Sequence, residues 1–182
     1  YSATTVRVSV STSGTQGNAE SLLPAVSADG RCVAWTSDAT NLVAGDTNGQ
    51  RDVFVRDRQL GTTVRASVDS SGTQANGFSE YPAISADGLT LHLTSPRGPS
   101  GTHDVYVATR PTRIATFTTP VIVPALSTGD ELNVGLSADQ LVVIVDRSGP
   151  GGDRDLVQHT RTSPSQAWGP EVVLTSANSP TT

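Results

Sequence analysis

The 182-residue chain is 35% hydrophobic and 16% charged with no long apolar run, which excludes a collagen, a coiled coil and a membrane-spanning helix and leaves a packed globular domain. Seventeen acidic residues against twelve basic ones, all arginine, give a formal net charge of −5 without a block of either sign, so nucleic acid is not an expected partner. The single Cys32 excludes an internal disulfide and any cysteine-rich metal framework, and its place in an apolar run reads as a small buried hydrophobe.

The start at Tyr1, without an initiator methionine or an apolar leader, leads us to expect a processed or partial chain. Thr4–Val10 alternates like a strand. Ser13-Gly14-Thr15-Gln16 and Asn18 follow, then a proline-bearing strand at Leu22–Val26, a Ser27-Ala28-Asp29-Gly30 turn, and strands at Cys32–Thr36, Asp52–Arg56 and Thr63–Val68. The same series returns 58 residues later. Ser71-Gly72-Thr73-Gln74, Asn76, Pro82 and Ser85-Ala86-Asp87-Gly88 recur in register, with strands at Tyr81–Ile84, Leu89–Thr94, Asp104–Ala108 and Ala115–Val123. A third, more diverged copy comes 52 residues after the second, with Ser137-Ala138-Asp139-Gln140 and strands at Leu132–Leu136, Leu141–Val145, Asp155–Gln158 and Glu171–Leu174. The length difference falls in one loop, before Asp52, where the first copy carries an insertion.

Four short strands per repeat of 52 to 58 residues fit a four-stranded antiparallel blade, so the spacing predicts an all-β propeller with three visible blades. The expected divisions of this single segment are 13–70, 71–124 and 125–182, with 1–12 as a strand of a preceding blade. Three blades do not close a ring of ~4–8, so further blades are expected from a longer chain or from a homo-oligomer partner.

The Ser-Ala-Asp-Gly turn, the following Cys32-Val33-Ala34-Trp35 and then Asp52-Val53-Phe54-Val55-Arg56-Asp57 resemble the blades of TolB-like β-propellers. The resemblance implies a bacterial, exported propeller, periplasmic or secreted, whose relatives mostly bind proteins or accompany separate catalytic domains. It carries over no catalytic residue set.

Read residue by residue, the chain shows no nucleophile elbow, no phosphate loop and no local metal motif among its three histidines. Catalytic residues are therefore not expected; His103-Asp104 as an oriented base lacks a nucleophile. Asp29, Asp87 and Asp139, with Asp52, Asp104 and Asp155 and with Arg58, Arg110 and Arg161, recur in every copy and so serve the blade itself. His92 stands on the strand face opposite Leu91 and Leu93 and reads as a packed position between blades. In the inserted loop Asp46, Asn48 and Asp52 alternate around Gly49, a spacing suited to calcium, although no glutamate follows at the bidentate distance and Asp-Thr-Asn-Gly makes a turn unaided.

Asn18 and Glu20, Asn76 and Glu80, and Asp130 and Glu131 precede the first strand of each copy. In a propeller that strand is innermost, which would place them at the mouth of the central channel as an acidic funnel for a cation or a basic peptide. The expected function is a non-enzymatic exported module that binds a protein or peptide there. The alternatives are an accessory propeller of a hydrolase whose catalytic domain lies outside this chain, or a lectin, which the few aromatic residues disfavour.

Overall fold

A computed structural model describes residues 4–69, 71–98, 101–149 and 152–174. Twelve strands form three four-stranded antiparallel sheets, each drawn from one repeat and ordered as in sequence. The first sheet holds β1 (Ser21–Val26), β2 (Cys32–Ser37), β3 (Asp52–Asp57) and β4 (Thr62–Arg65). The second holds β5 (Glu80–Ile84), β6 (Thr90–Ser95), β7 (Asp104–Thr109) and β8 (Val121–Ile122). The third holds β9 (Glu131–Leu136), β10 (Val142–Ser148), β11 (Arg154–Thr160) and β12 (Val172–Val173). One 3₁₀ turn, Pro124–Leu126, follows β8.

The hairpin joining the first two strands of each sheet is built the same way three times. The Ser27 hydroxyl donates to Asp29 (2.7 Å) and accepts from the Cys32 N–H (2.9 Å), while Asp29 also accepts from the Arg31 N–H (3.1 Å). Ser85 and Asp87 repeat the arrangement with Thr90 and Leu89, and Ser137 and Asp139 repeat it with Val142 and Leu141. The fourth turn residue sits in left-handed backbone, with φ of 70° at Gly30 and 73° at Gly88 but 62° at Gln140, where a side chain must be accommodated. An arginine from the end of the third strand locks each turn. Arg58, Arg110 and Arg161 donate to the carbonyls of Gly30, Gly88 and Gln140 at 2.8, 2.9 and 2.7 Å.

Each first strand bulges. Leu23-Pro24 oppose a single residue of β2 and Tyr81-Pro82 a single residue of β6, because proline has no N–H to give to the ladder. Leu23 and Tyr81 take up the kink at φ of 52° and 49°. The third copy has Val134 in place of the proline, and its bulge moves one residue earlier without positive φ.

The sheets stack face to face with their first strands approaching one another. Cys32, Ala34, Val53 and Val55 of the first sheet meet Ile84, Leu91, Leu93 and Tyr106 of the second. Ala83, Val105 and Leu126 meet Val134, Val143, Val145 and Val157 of the third, with Trp168 closing that core. On the other face of the first sheet, Trp35 and Phe54 stack with ring centroids 6.0 Å apart under Ala39 and Leu42 of the inserted loop, with Val8 packed alongside. The insertion thus serves as a cover for an aromatic pair.

Two strand expectations need correction. Among the described residues Thr4–Val10 forms no strand, and its ladder pairing is limited to the Val10–Gln16 bridge. The same bridge recurs between Val68 and Gln74, so Ser-Gly-Thr-Gln is a second repeated turn. The fourth strands are also shorter than the apolar patterns suggest. Ala66, just past β4, still donates its N–H to Val53 O at 2.8 Å while its side chain is buried in the first core, and Phe117, upstream of β8, packs against the same core.

Candidate functional site

The residues expected at the channel mouth cluster at one end of the stack, where the loops enter β1, β5 and β9. Glu80 accepts from Arg51 Nη1 at 2.7 Å, and the same guanidinium holds Asp38 at 3.0 Å. One sheet further on, Asp130 accepts from the His103 N–H at 2.9 Å, contacts the His103 ring at 3.1 Å and pairs with Arg154 at 3.5 Å. Burial opposes ionisation of Asp130, but these contacts with His103 hold its carboxyl below the usual carboxylate range. The partner of His103 is Asp130 of the next repeat and not the adjacent Asp104.

These pairs follow one rule. In the first two sheets the residue just before the third strand latches onto the carboxylate at the entrance of the next sheet, and a backbone bond accompanies it both times, Ser79 N–H to Arg51 O at 2.8 Å and Glu131 N–H to His103 O at 2.9 Å. Glu80 and Asp130 are therefore inter-sheet ties as well as rim carboxylates. Glu131 is buried, with Oε1 accepting from the N–H groups of Thr128 and Gly129, and burial pushes its carboxyl above the usual range. Asn18 is engaged too, its Oδ1 accepting from the Thr40 N–H while Asn41 caps the Asn18 N–H, a clasp that anchors the inserted loop. Asn76 and Glu20 remain exposed.

Between the first two entrances an open pocket of about 380 Å³ is lined by Asp38, Arg51, Phe78 and Glu80. Phe78 is 37% exposed and its ring packs 5.6 Å from that of His103. An exposed aromatic ring among carboxylates was not signalled by the sequence, because Phe78 lies in a loop without periodicity.

The residues considered for calcium come partly together. Asp46 and Asp52 share the Gln74 amide, at 2.8 and 3.3 Å, and Arg65 lies 3.8 and 3.5 Å from them. Asp52 also accepts from the Ser67 hydroxyl at 2.6 Å, and burial raises its pKa despite that bond. Asn48 turns away, donating to Ala75 O at 2.7 Å and accepting from the Gln50 N–H at 2.9 Å. A cation between the two aspartates would have to displace an amide and a guanidinium. Among the described residues no group of three or more His, Cys, Asp or Glu side chains converges as a metal site.

The chain matches no protein-family model and no curated protein. Among solved structures it is similar to a candidate TolB from Agrobacterium tumefaciens, with a TM-score of 0.57 and 14% identity over 85% of this chain and 49% of that one. It is also similar to the catalytic domain of a Coprinopsis cinerea GH62 alpha-L-arabinofuranosidase, with a TM-score of 0.46 and 13% identity over 84% of this chain and 50% of that one. The fold is that of a β-propeller. The chain spans about half the length of both structures. No helix among the described residues is long and apolar enough to cross a membrane.

Proposed function

We propose that this chain is an exported, non-enzymatic propeller module, akin to the TolB-like propellers, that binds a protein or peptide at the end where the first strands begin. The observation that carries this reading is the open pocket at that end, in which the half-exposed Phe78 ring stands beside Asp38 and Glu80. A ring face accepts a guanidinium or an apolar side chain; Asp38 and Glu80 together outweigh the single Arg51 charge that they share, and with exposed Glu20 close in sequence to β1 they favour a basic segment over an acidic one. In this reading the chain is part of a larger ring, in keeping with its half-length match to its structural neighbours and with exposed Leu156, Val172 and Val173 on the last sheet.

The test is binding of synthetic Arg-rich and Glu-rich peptides to the folded chain, followed by calorimetry. Basic peptides are expected to bind more tightly, to lose affinity with salt, and to lose about tenfold on Glu20→Arg or Phe78→Ala. A preference for acidic peptides, or affinity indifferent to both substitutions, would refute the reading.

A further inference from the structure

A cavity of about 640 Å³ lies between the second and third sheets, away from the mouth. Its walls include His92 and Val107, which are register partners on β6 and β7, together with Val123, Ala125 and Trp168. The volume is within the range that small-molecule sites occupy, ~300–1,000 Å³.

The cavity has a cause in the divergence of the third repeat. At the first interface the Ala28 N–H donates to Ala86 O at 3.0 Å, and Gly88 approaches Cys32 so closely that a Cβ would lie 3.0 Å from its Sγ. At the second interface Gln140 stands where Gly88 stood and Thr90 where Cys32 stood, and no backbone bond joins Ala86 to Ala138 among the described residues. Leu91 and Leu93, which fill the first interface, are matched by the smaller Val143 and Val145 at the second. Gln140 holds the turns apart, and shorter side chains leave the space open.

The polar groups around it are disposed for a ligand. His92 is 2% exposed, and its Nδ1 is buried with no hydrogen-bond partner. Burial, and then the charge of Arg161, hold the His92 pKa down to about 4, so the ring is neutral at neutral pH. Arg161 and Arg110 both line the cavity, and neither forms an ion pair among the described residues. Arg161 lies 4.0 Å over the Trp168 ring and donates to two backbone carbonyls, of Gln140 and Gln166. Asp87 is the sole carboxylate in the lining, and its Oδ1 is taken by the Ser85 hydroxyl and the Leu89 N–H.

We propose that this cavity binds a small organic acid, its carboxylate held by the Arg161 guanidinium, its apolar body against Val107, Val123 and Trp168, and a hydrogen-bonding group at His92. A guanidinium without an ion-pair partner beside a neutral imidazole favours an anion, which pairs with the Arg161 charge while the uncharged ring offers a hydrogen-bonding group. The apolar walls demand a hydrophobic body, which separates this site from one for inorganic anions. The site is independent of the mouth pocket, so either can fail alone.

The experiment titrates the folded chain with phenylacetate, 3-phenylpropionate, indole-3-acetate and octanoate, and with the amide of each. The His92 ring and Trp168 indole resonances are followed by NMR. At least one acid is expected to shift both residues saturably with one site per chain, and its amide to bind about tenfold more weakly. Arg161→Gln should cost the acid about tenfold while leaving the amide unchanged, and Arg161→Lys should restore part of the loss. Should either variant unfold, the acid-against-amide comparison on the unaltered chain decides alone. Absence of any saturable His92 shift at millimolar acid, or equal affinity for acid and amide, overturns the proposal.

Discussion

Gly30 and Gly88 occupy equivalent left-handed turn positions, yet they should respond very differently to alanine. The backbone cost of placing a Cβ in that conformation is common to both, about 1–2 kcal/mol, partly offset by the smaller entropy of alanine in the unfolded chain, which leaves about 1 kcal/mol net. At Gly30 the new Cβ would meet only Arg58 Nη1, at an ordinary 3.6 Å. At Gly88 it would meet Cys32 Sγ at 3.0 Å and Cys32 Cβ at 3.4 Å. Cys32 is fully buried and held in register by neighbours on both sides, so it has nowhere to move. Overpacking of a close-packed interior adds about 1–3 kcal/mol. Gly30→Ala should therefore cost about 1 kcal/mol and Gly88→Ala about 2–4 kcal/mol, read from urea unfolding followed by tryptophan fluorescence. Cys32→Ala removes the clashing sulfur, so in that background the excess penalty at residue 88 should vanish. Equal costs at the two glycines, or an excess that persists without the sulfur, would refute the account of close sheet approach at this turn.

Three further outcomes are expected. Gln140→Gly relieves the one non-glycine fourth position of the three Ser-Ala-Asp turns and should stabilise the chain by about 0.5–1 kcal/mol, a rise in Tm of a few degrees by calorimetry. Arg110 is 6% exposed, donates to Gly88 O, Arg113 O and Cys32 Sγ, and lies on the Phe117 ring; Arg110→Ala should cost about 2–4 kcal/mol in urea unfolding, against less than about 1 kcal/mol for the exposed Arg58→Ala. His92 has a folded pKa of about 4, below the 6.5 of the unfolded chain, so the unfolded state takes up the proton first as pH falls. Stability should drop between those values by an amount on the order of 3 kcal/mol, and His92→Leu should flatten that part of the urea-midpoint profile against pH.

The turns were legible because the serine and aspartate bonds that shape them are local. Ser27, Asp29 and Cys32 lie within six residues, so the motif carries its own geometry wherever it recurs, and even Gln140 adopts the glycine conformation when the surrounding serine and aspartate demand it. Strand alternation fixed which faces pack, placing Leu91 and Leu93 on one side and His92 on the other. The bonding of the entrance residues was not legible, because Glu80 and Asp130 are claimed by Arg51 and His103 across an interface that no local pattern reports. Likewise the spacing of Asp46 and Asp52 brought two carboxylates together, yet Gln74 and Arg65 reached them from segments far away in sequence.

The sequence by itself determined the repeat, the four-strand unit, the hairpin turns and the alternation of buried and exposed faces, since each depends on interactions a few residues apart. Only the tertiary structure decided which carboxylates stay free at the mouth, how the insertion covers Trp35 and Phe54, and where the sheets part to leave a cavity beside His92. Those outcomes turn on the distance between sheets, which is set by the fit of side chains contributed from different repeats. At one interface Gly88 lies close against Cys32, and at the next Gln140 takes the place of that glycine and lines the cavity.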